Sequence, residues 1–164
     1  MGSVQDREGA GAKLSRSEAS CVCGELRVTL KGPPSVVSSC CCRHCQRRRG
    51  SLVAVQAFYD VEQLVTVMGL SQTFMRSGDS GANVTFHFCA RCGTTLHWFP
   101  EFRPGKVAVA VGAFADKSFP VPERLVWSEF RHPWVQVPPG TTEYSGNAPY
   151  AAPNIIQDDR RIRP

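Results

Sequence analysis

The sequence predicts a mainly antiparallel β domain held together at metal-binding cysteines. Three observations point there. Short β-rich segments recur through the middle of the chain, separated by Gly, Pro, Asp or Ser. No segment keeps a 3.6-residue apolar period over three turns. The 8 cysteines fall into three tight groups, the densest being "CCCRHC" at 40–45.

Composition divides the 164 residues into three regions. Residues 1–18 are small, polar and charged without periodicity, and read as a disordered tail. Residues 19–137 carry the apolar pattern of one domain, long enough to bury a core. From Pro138 the chain is rich in proline and turn residues, so 138–164 reads as an irregular tail draped over the domain.

Within the domain, "ELRVTLK" (25–31) alternates apolar and polar residues, which suits a strand with one buried face. "SLVAVQAF" (51–58), "QLVTVMG" (63–69), "NVTFHFC" (83–89), "TTLHWF" (94–99) and "KVAVAVGAF" (106–114) are rich in β-branched and aromatic residues. A short helical turn fits around Asp116 to Ser118.

No apolar run approaches the ~18 residues of a membrane helix. The opening residues lack the apolar centre of a signal peptide. A cytoplasmic, reducing setting is therefore expected, where clustered cysteines bind metal more often than they form disulfides. The formal net charge of +5 invites a nucleic-acid partner. Its distribution argues against one. Four arginines between Arg43 and Arg49 hold most of the excess, and no aromatic interleaving accompanies them. If seven cysteines bind two zinc ions, −7 and +4 lower the total from +5 to +2. Such a surface suits one small anion better than a polyanion. The sequence sets no oligomeric state.

The cysteine spacing carries the chemistry. Cys21 and Cys23 form C-x-C; Cys40, Cys42 and Cys45 form C-x-C-x-x-C; Cys89 and Cys92 form C-x-x-C before Gly93. The last is a zinc knuckle, whose tight turn offers two sulfurs while the glycine permits positive φ at the exit. A closed structural zinc takes four ligands, which the C-x-C and knuckle pairs supply together. The middle group then offers three, the number found at a catalytic zinc with one open position. The competing arrangement fills the fourth place with Cys41 or with one of His44, His87, His97 and His132. In an extended segment Cys40 and Cys42 face one way and Cys41 the other, which favours the open site. Each histidine is isolated in sequence and reads as a packed or surface residue.

The order "CVCGELR", "CCCRHCQRRRG", "FCARCGTTL", followed by "VAVGAFADKSFPVPERLVWSEFRHPW", resembles the glutathione-dependent formaldehyde-activating enzyme family, whose eukaryotic relatives include the centromere protein V group. The similarity runs from about Ser20 to Val137. The resemblance implies an Mss4-like zinc-bound β fold. It implies one structural zinc at Cys21, Cys23, Cys89 and Cys92, and a second zinc at Cys40, Cys42 and Cys45. It implies a carbon–sulfur lyase that joins glutathione to formaldehyde as S-(hydroxymethyl)glutathione. Family members often carry histidine or another residue where this chain has Cys41.

Thiol chemistry suits such a site. A free thiol of pKa ~8.5 is mostly protonated at neutral pH and attacks a carbonyl only as thiolate. Glutathione is a net anion, and arginines grip carboxylates bidentately. Arg47, at the arginine position of the family motif, is the expected substrate contact; Arg48 and Arg49 read as solvated surface. Trp98, Trp127 and Trp134 are core residues by default and pocket walls otherwise. Two rivals stand beside this reading: a related enzyme for another thiol or small electrophile, and a non-catalytic zinc-stabilised binding module.

Overall fold

The computed structural model describes residues 15–78 and 81–149. Two sheets stack. The smaller has the order β1–β2–β5, from β1 (Arg16–Ser20), β2 (Arg27–Lys31) and β5 (Leu64–Met68), all antiparallel. The larger comprises β3 (Val36–Cys40), β4 (Ala54–Asp60), β6 (Ser71–Ser77), β7 (Asn83–Cys89), β8 (Thr95–Pro100), β9 (Lys106–Ala110), β10 (Arg124–Val126) and β11 (Thr142–Glu143). Its order is β11–β10–β3–β4–β9–β8–β7–β6, antiparallel except where β10 meets β3 and β11. One helix, α1 (Arg43–Arg49), follows β3.

Side-chain alternation gives the large sheet two apolar faces. Val37, Ala57, Tyr59, Val107 and Val109 pack against Ala19, Val28 and Leu30 of the small sheet to form the main core. The alternate positions Val36, Phe58, Val84, Phe86, Trp98, Ala108 and Ala110 form a second cluster on the opposite face. A sheet apolar on both faces reads as continuous apolar runs, as in "AVQAFY" and "VAVA".

Several expectations change. Of the tail expected over 1–18, residues 1–14 lie outside the described residues, and Arg16–Ser20 is strand because Ala19 is fully buried and Glu18 pairs with Arg27 at 3.2 Å. Of the irregular segment expected over 138–164, Thr142–Glu143 adds a strand to β10, and residues beyond 149 lie outside the description. The helical turn expected at Asp116–Ser118 is instead a hydrogen-bonded turn: the Ser118 N–H donates to Asp116 Oδ1 at 2.8 Å, and a 3₁₀ turn precedes it at Val111–Phe114. Histidines 87 and 97, isolated in sequence, are cross-strand partners whose rings stack at 4.5 Å.

Candidate metal centre and its cavity

Two loops bring the four-cysteine cluster together. In the first, the Gly24 N–H donates to the Cys21 carbonyl at 2.9 Å and Gly24 exits at φ +76°. The β7–β8 loop repeats this: the Gly93 N–H donates to the Cys89 carbonyl at 2.9 Å, with Gly93 at φ +73°. Thr94 ties the loops together, its Oγ1 accepting from the Val22 N–H at 3.3 Å. The Cys21, Cys23, Cys89 and Cys92 sulfurs all lie within 4.8 Å of one another, and the Cys21–Cys23 and Cys23–Cys89 pairs are 3.4 and 3.7 Å apart. Sulfurs about 2.3 Å from a tetrahedral zinc stand about 3.8 Å apart, so this set fits the ion. Cys21 and Cys89 are buried, and the Leu26 N–H donates to Cys21 Sγ at 3.1 Å, a bond that favours the thiolate a metal requires.

The three-cysteine cluster forms where β3 turns into α1. Cys40 ends the strand at a position of the same parity as Val36 and Ser38, so it faces the second apolar face. Cys42 is the N-cap, with extended φ and ψ, and its sulfur accepts from the Cys45 N–H at 3.3 Å. The Cys42 N–H in turn donates to Cys40 Sγ at 3.5 Å. Cys40, Cys42 and Cys45 sulfurs all lie within 4.8 Å of one another. Cys41 is fully buried and belongs to neither cluster, and among the described residues no histidine joins either. Gln46 anchors the turn by donating to the Cys41 carbonyl at 2.7 Å and the Phe130 carbonyl at 3.1 Å.

The electrostatics of this trio call for a cation. Hydrogen bonds from the Cys40 and Cys45 thiols pull the Cys42 thiol down to about 2. The Cys42 and Cys45 sulfurs, with burial, push Cys40 strongly up. One thiolate thus forms easily and opposes ionisation of its neighbour; a divalent ion lets all three ionise. Both clusters can hold a metal ion, and all-sulfur donor sets of this kind suit zinc.

The trio opens into a cavity of about 250 Å³. Sheet parity places Ser38, Gln56, Phe58, Val84, Phe86 and Trp98 on its wall beside Cys40, and Trp127 with Asn147 closes another side. Trp127 holds a left-handed φ of +57°, and its Nε1–H donates to Asn147 Oδ1 at 2.9 Å. Residues past 138, expected as a tail, therefore contribute to this wall.

The arginines do not sit where a straight reading of the loop puts them. Residues three and four apart share a helix face, whereas residues two apart do not. Arg48 and Arg49 therefore follow Cys45 on one face of α1. Arg47 is exposed and does not line the cavity; Arg48 does. The Arg48 guanidinium lies 3.9 Å over the Phe86 ring and 4.8 Å over Trp98, and Arg49 lies 5.0 Å from Trp98. Burial, then Arg49, lowers Arg48 to about 10, so it remains charged at neutral pH. Arg48 Nη1 and Arg49 Nε and Nη2 are buried without a hydrogen-bond partner in the protein. Of the three tryptophans, Trp98 and Trp127 line the cavity, while Trp134 is exposed. The i, i+3 spacing of Cys45 and Arg48 was the signal available for Arg48, but only once the segment is known to be helical.

No helix among the described residues is long and apolar enough to cross a membrane. No curated protein matches the chain. Among solved structures, a Rhodobacter sphaeroides protein is 21% identical, with 58% of this chain and 85% of that chain covered and a TM-score of 0.43. The family described as glutathione-dependent formaldehyde-activating enzyme matches residues 16–130, well over half the sequence, including both cysteine clusters and α1. The chain belongs to that family, and its mainly β architecture is the family's Mss4-like fold.

Proposed function

We propose that this protein is a zinc-dependent enzyme that makes and breaks a carbon–sulfur bond between a thiol and an aldehyde, with glutathione and formaldehyde the pair suggested by the family. The observation that carries the proposal is the difference between the clusters. Four sulfurs close on one another between two loops, whereas three face a cavity with no fourth ligand among the described residues. In this reading Cys21, Cys23, Cys89 and Cys92 hold a structural zinc, and Cys40, Cys42 and Cys45 hold a catalytic one. A zinc ion held by Cys40, Cys42 and Cys45 would supply an open position for a substrate thiolate.

The chain's own residues do the rest. Backbone N–H groups of Cys42 and Cys45 orient the sulfurs of Cys40 and Cys42. Cys41, fully buried, anchors the turn, its N–H donating to the Val126 carbonyl at 3.1 Å. Arg48, in place of the expected Arg47, stands on the cavity wall to meet a substrate carboxylate.

The test is exchange-rate NMR with zinc-loaded protein, glutathione and ¹³C-formaldehyde. Exchange between free formaldehyde and S-(hydroxymethyl)glutathione should exceed the spontaneous rate, and Cys42→Ser should abolish the excess. An unchanged exchange rate with fully zinc-loaded protein refutes the proposal. The reading as a related enzyme for another thiol also has an observation in its favour: Phe58, Phe86, Trp98, Phe102 and Trp127 all line the cavity, more ring surface than a peptide thiol requires.

A further inference from the structure

We propose that the cavity selects a thiol bearing both a carboxylate and a ring-sized apolar group, with the carboxylate on Arg48 and the ring against the cavity's aromatic wall. The inference rests on the thiol chemistry proposed above and names the substrate class of that site.

Charge is the first argument. Arg48, Arg76 and Arg103 line the cavity, and no Asp or Glu among the described residues does. A zinc ion with three thiolates is net −1, so the three arginines leave a positive excess. Arg48 already has aromatic faces at 3.9 and 4.8 Å, which fix its plane and leave its edge donors for a bidentate partner. The protein provides no acceptor for its buried Nη1. Like charges gathered on a wall without a carboxylate make an anion-binding site.

The wall is the second argument. Phe58, Phe86, Trp98, Phe102 and Trp127 all contribute to it. An apolar cavity of about 150 Å³ holds benzene, so the roughly 250 Å³ here admits a ring and a short acidic chain. Glutathione fits this chemistry less well. Its ammonium group would enter a wall that carries three arginines and no Asp or Glu among the described residues. Its peptide groups would lie in part against rings that offer no hydrogen bonds.

The experiment uses the full zinc-loaded chain and follows tryptophan fluorescence. The first probes carry no thiol: 3-phenylpropanoate and its neutral isostere 3-phenylpropanamide. The acid should bind at least tenfold more tightly than the amide, and Arg48→Gln should reduce that ratio to threefold or less. Should Arg48→Gln fail to fold, Arg76→Gln, outside the aromatic stack, should still weaken the acid at least threefold more than the amide. Equal binding of acid and amide, or no binding, overturns the inference. The second pair is 2-mercapto-3-phenylpropanoate and glutathione. The aromatic thiol should bind at least tenfold more tightly, and Cys42→Ser should remove the advantage of its sulfur. Tighter glutathione binding overturns the inference and leaves the thiol chemistry standing. An acid-over-amide preference with no contribution from any thiol overturns the proposed reaction instead.

Discussion

Gly69→Ala tests whether the two cysteine loops are held in place by the chain that passes between the sheets. Gly69 joins β5 of the small sheet to β6 of the large one. Its φ is +91°, and a Cβ built there would stand 2.0 Å from the Glu25 carbonyl oxygen and 2.8 Å from its carbon. Neither atom is the end of a flexible side chain. The next residue, Leu26, is fully buried, and its N–H and carbonyl both bond to Cys21. On the other side, Leu70 accepts from the Ala90 N–H at 3.2 Å, so the same two residues brace both loops. A left-handed φ costs alanine about 1–2 kcal/mol. Forcing backbone apart in a packed region costs a further 1–3 kcal/mol or so. A total near 3–4 kcal/mol corresponds to a fall in melting temperature of roughly 10 °C for a domain of this size. Gly50→Ala is the control: φ is +60°, but nothing lies within 4 Å, so only the backbone term remains. Thermal unfolding followed by circular dichroism, with zinc content measured on the same samples, should show a large fall and zinc loss for Gly69→Ala and a fall of a few degrees with zinc retained for Gly50→Ala. Melting of Gly69→Ala within two degrees of wild type refutes the bracing argument.

Outcomes are also expected at the cysteines, at His97 and at the arginines of α1. Cys92→Ser should abolish cooperative folding, since a structural zinc contributes on the order of 10 kcal/mol against a total stability of roughly 5–15; Cys42→Ser should lose about one zinc per chain yet stay folded, and Cys41→Ser should keep both, all by metal analysis with circular dichroism. Burial, then His87, lowers His97 to about 4, so between there and an ordinary pKa of about 6.5 the unfolded chain binds the extra proton and stability falls as pH falls. From pH 7.5 to 5.5 this amounts to ~1.4 kcal/mol, and His97→Phe should remove that share of the shift in urea midpoint. Arg47→Ala should leave thiol-substrate affinity within twofold, whereas Arg48→Ala should weaken it about tenfold or more while both zincs remain, measured by calorimetric titration.

What the sequence disclosed depended on how local the signal was. The cysteine pairs were legible because a knuckle is a local turn: Gly93 adopts the positive φ that C-x-x-C-G requires. Strands such as Leu64–Met68 and Asn83–Cys89 followed from β-rich composition. β6 was not legible because nearly every residue is exposed and no alternation marks a buried face. β10 and β11, three and two residues long, exist only because parallel partners distant in sequence meet them. α1 spans seven residues, too few for a period to emerge. Its signals are chemical: a Cys42 sulfur caps one end, and Gly50 in the left-handed region ends the other.

That short helix changes the chemistry more than its length suggests. Extended, Arg47, Arg48 and Arg49 would alternate about the chain, and Arg47 would share a side with Cys45. Helical, Cys45 shares its face with Arg48, and Arg47 turns to solvent. The same turn joins a strand whose alternate residues already line the cavity, so Cys40 arrives from the sheet while Cys42 and Cys45 arrive from the cap and first turn of the helix. Three sulfurs converge because two periodicities meet at Cys40–Cys42. Arg48 is placed by the second of them, one turn along from Cys45, and stacks on the rings that the first places opposite. The sulfur cluster and the arginine of its cavity wall are thus fixed by one backbone transition, so a substitution that unwinds α1, such as Gln46→Pro, should cost the metal and the anion preference together while sparing the four-cysteine cluster.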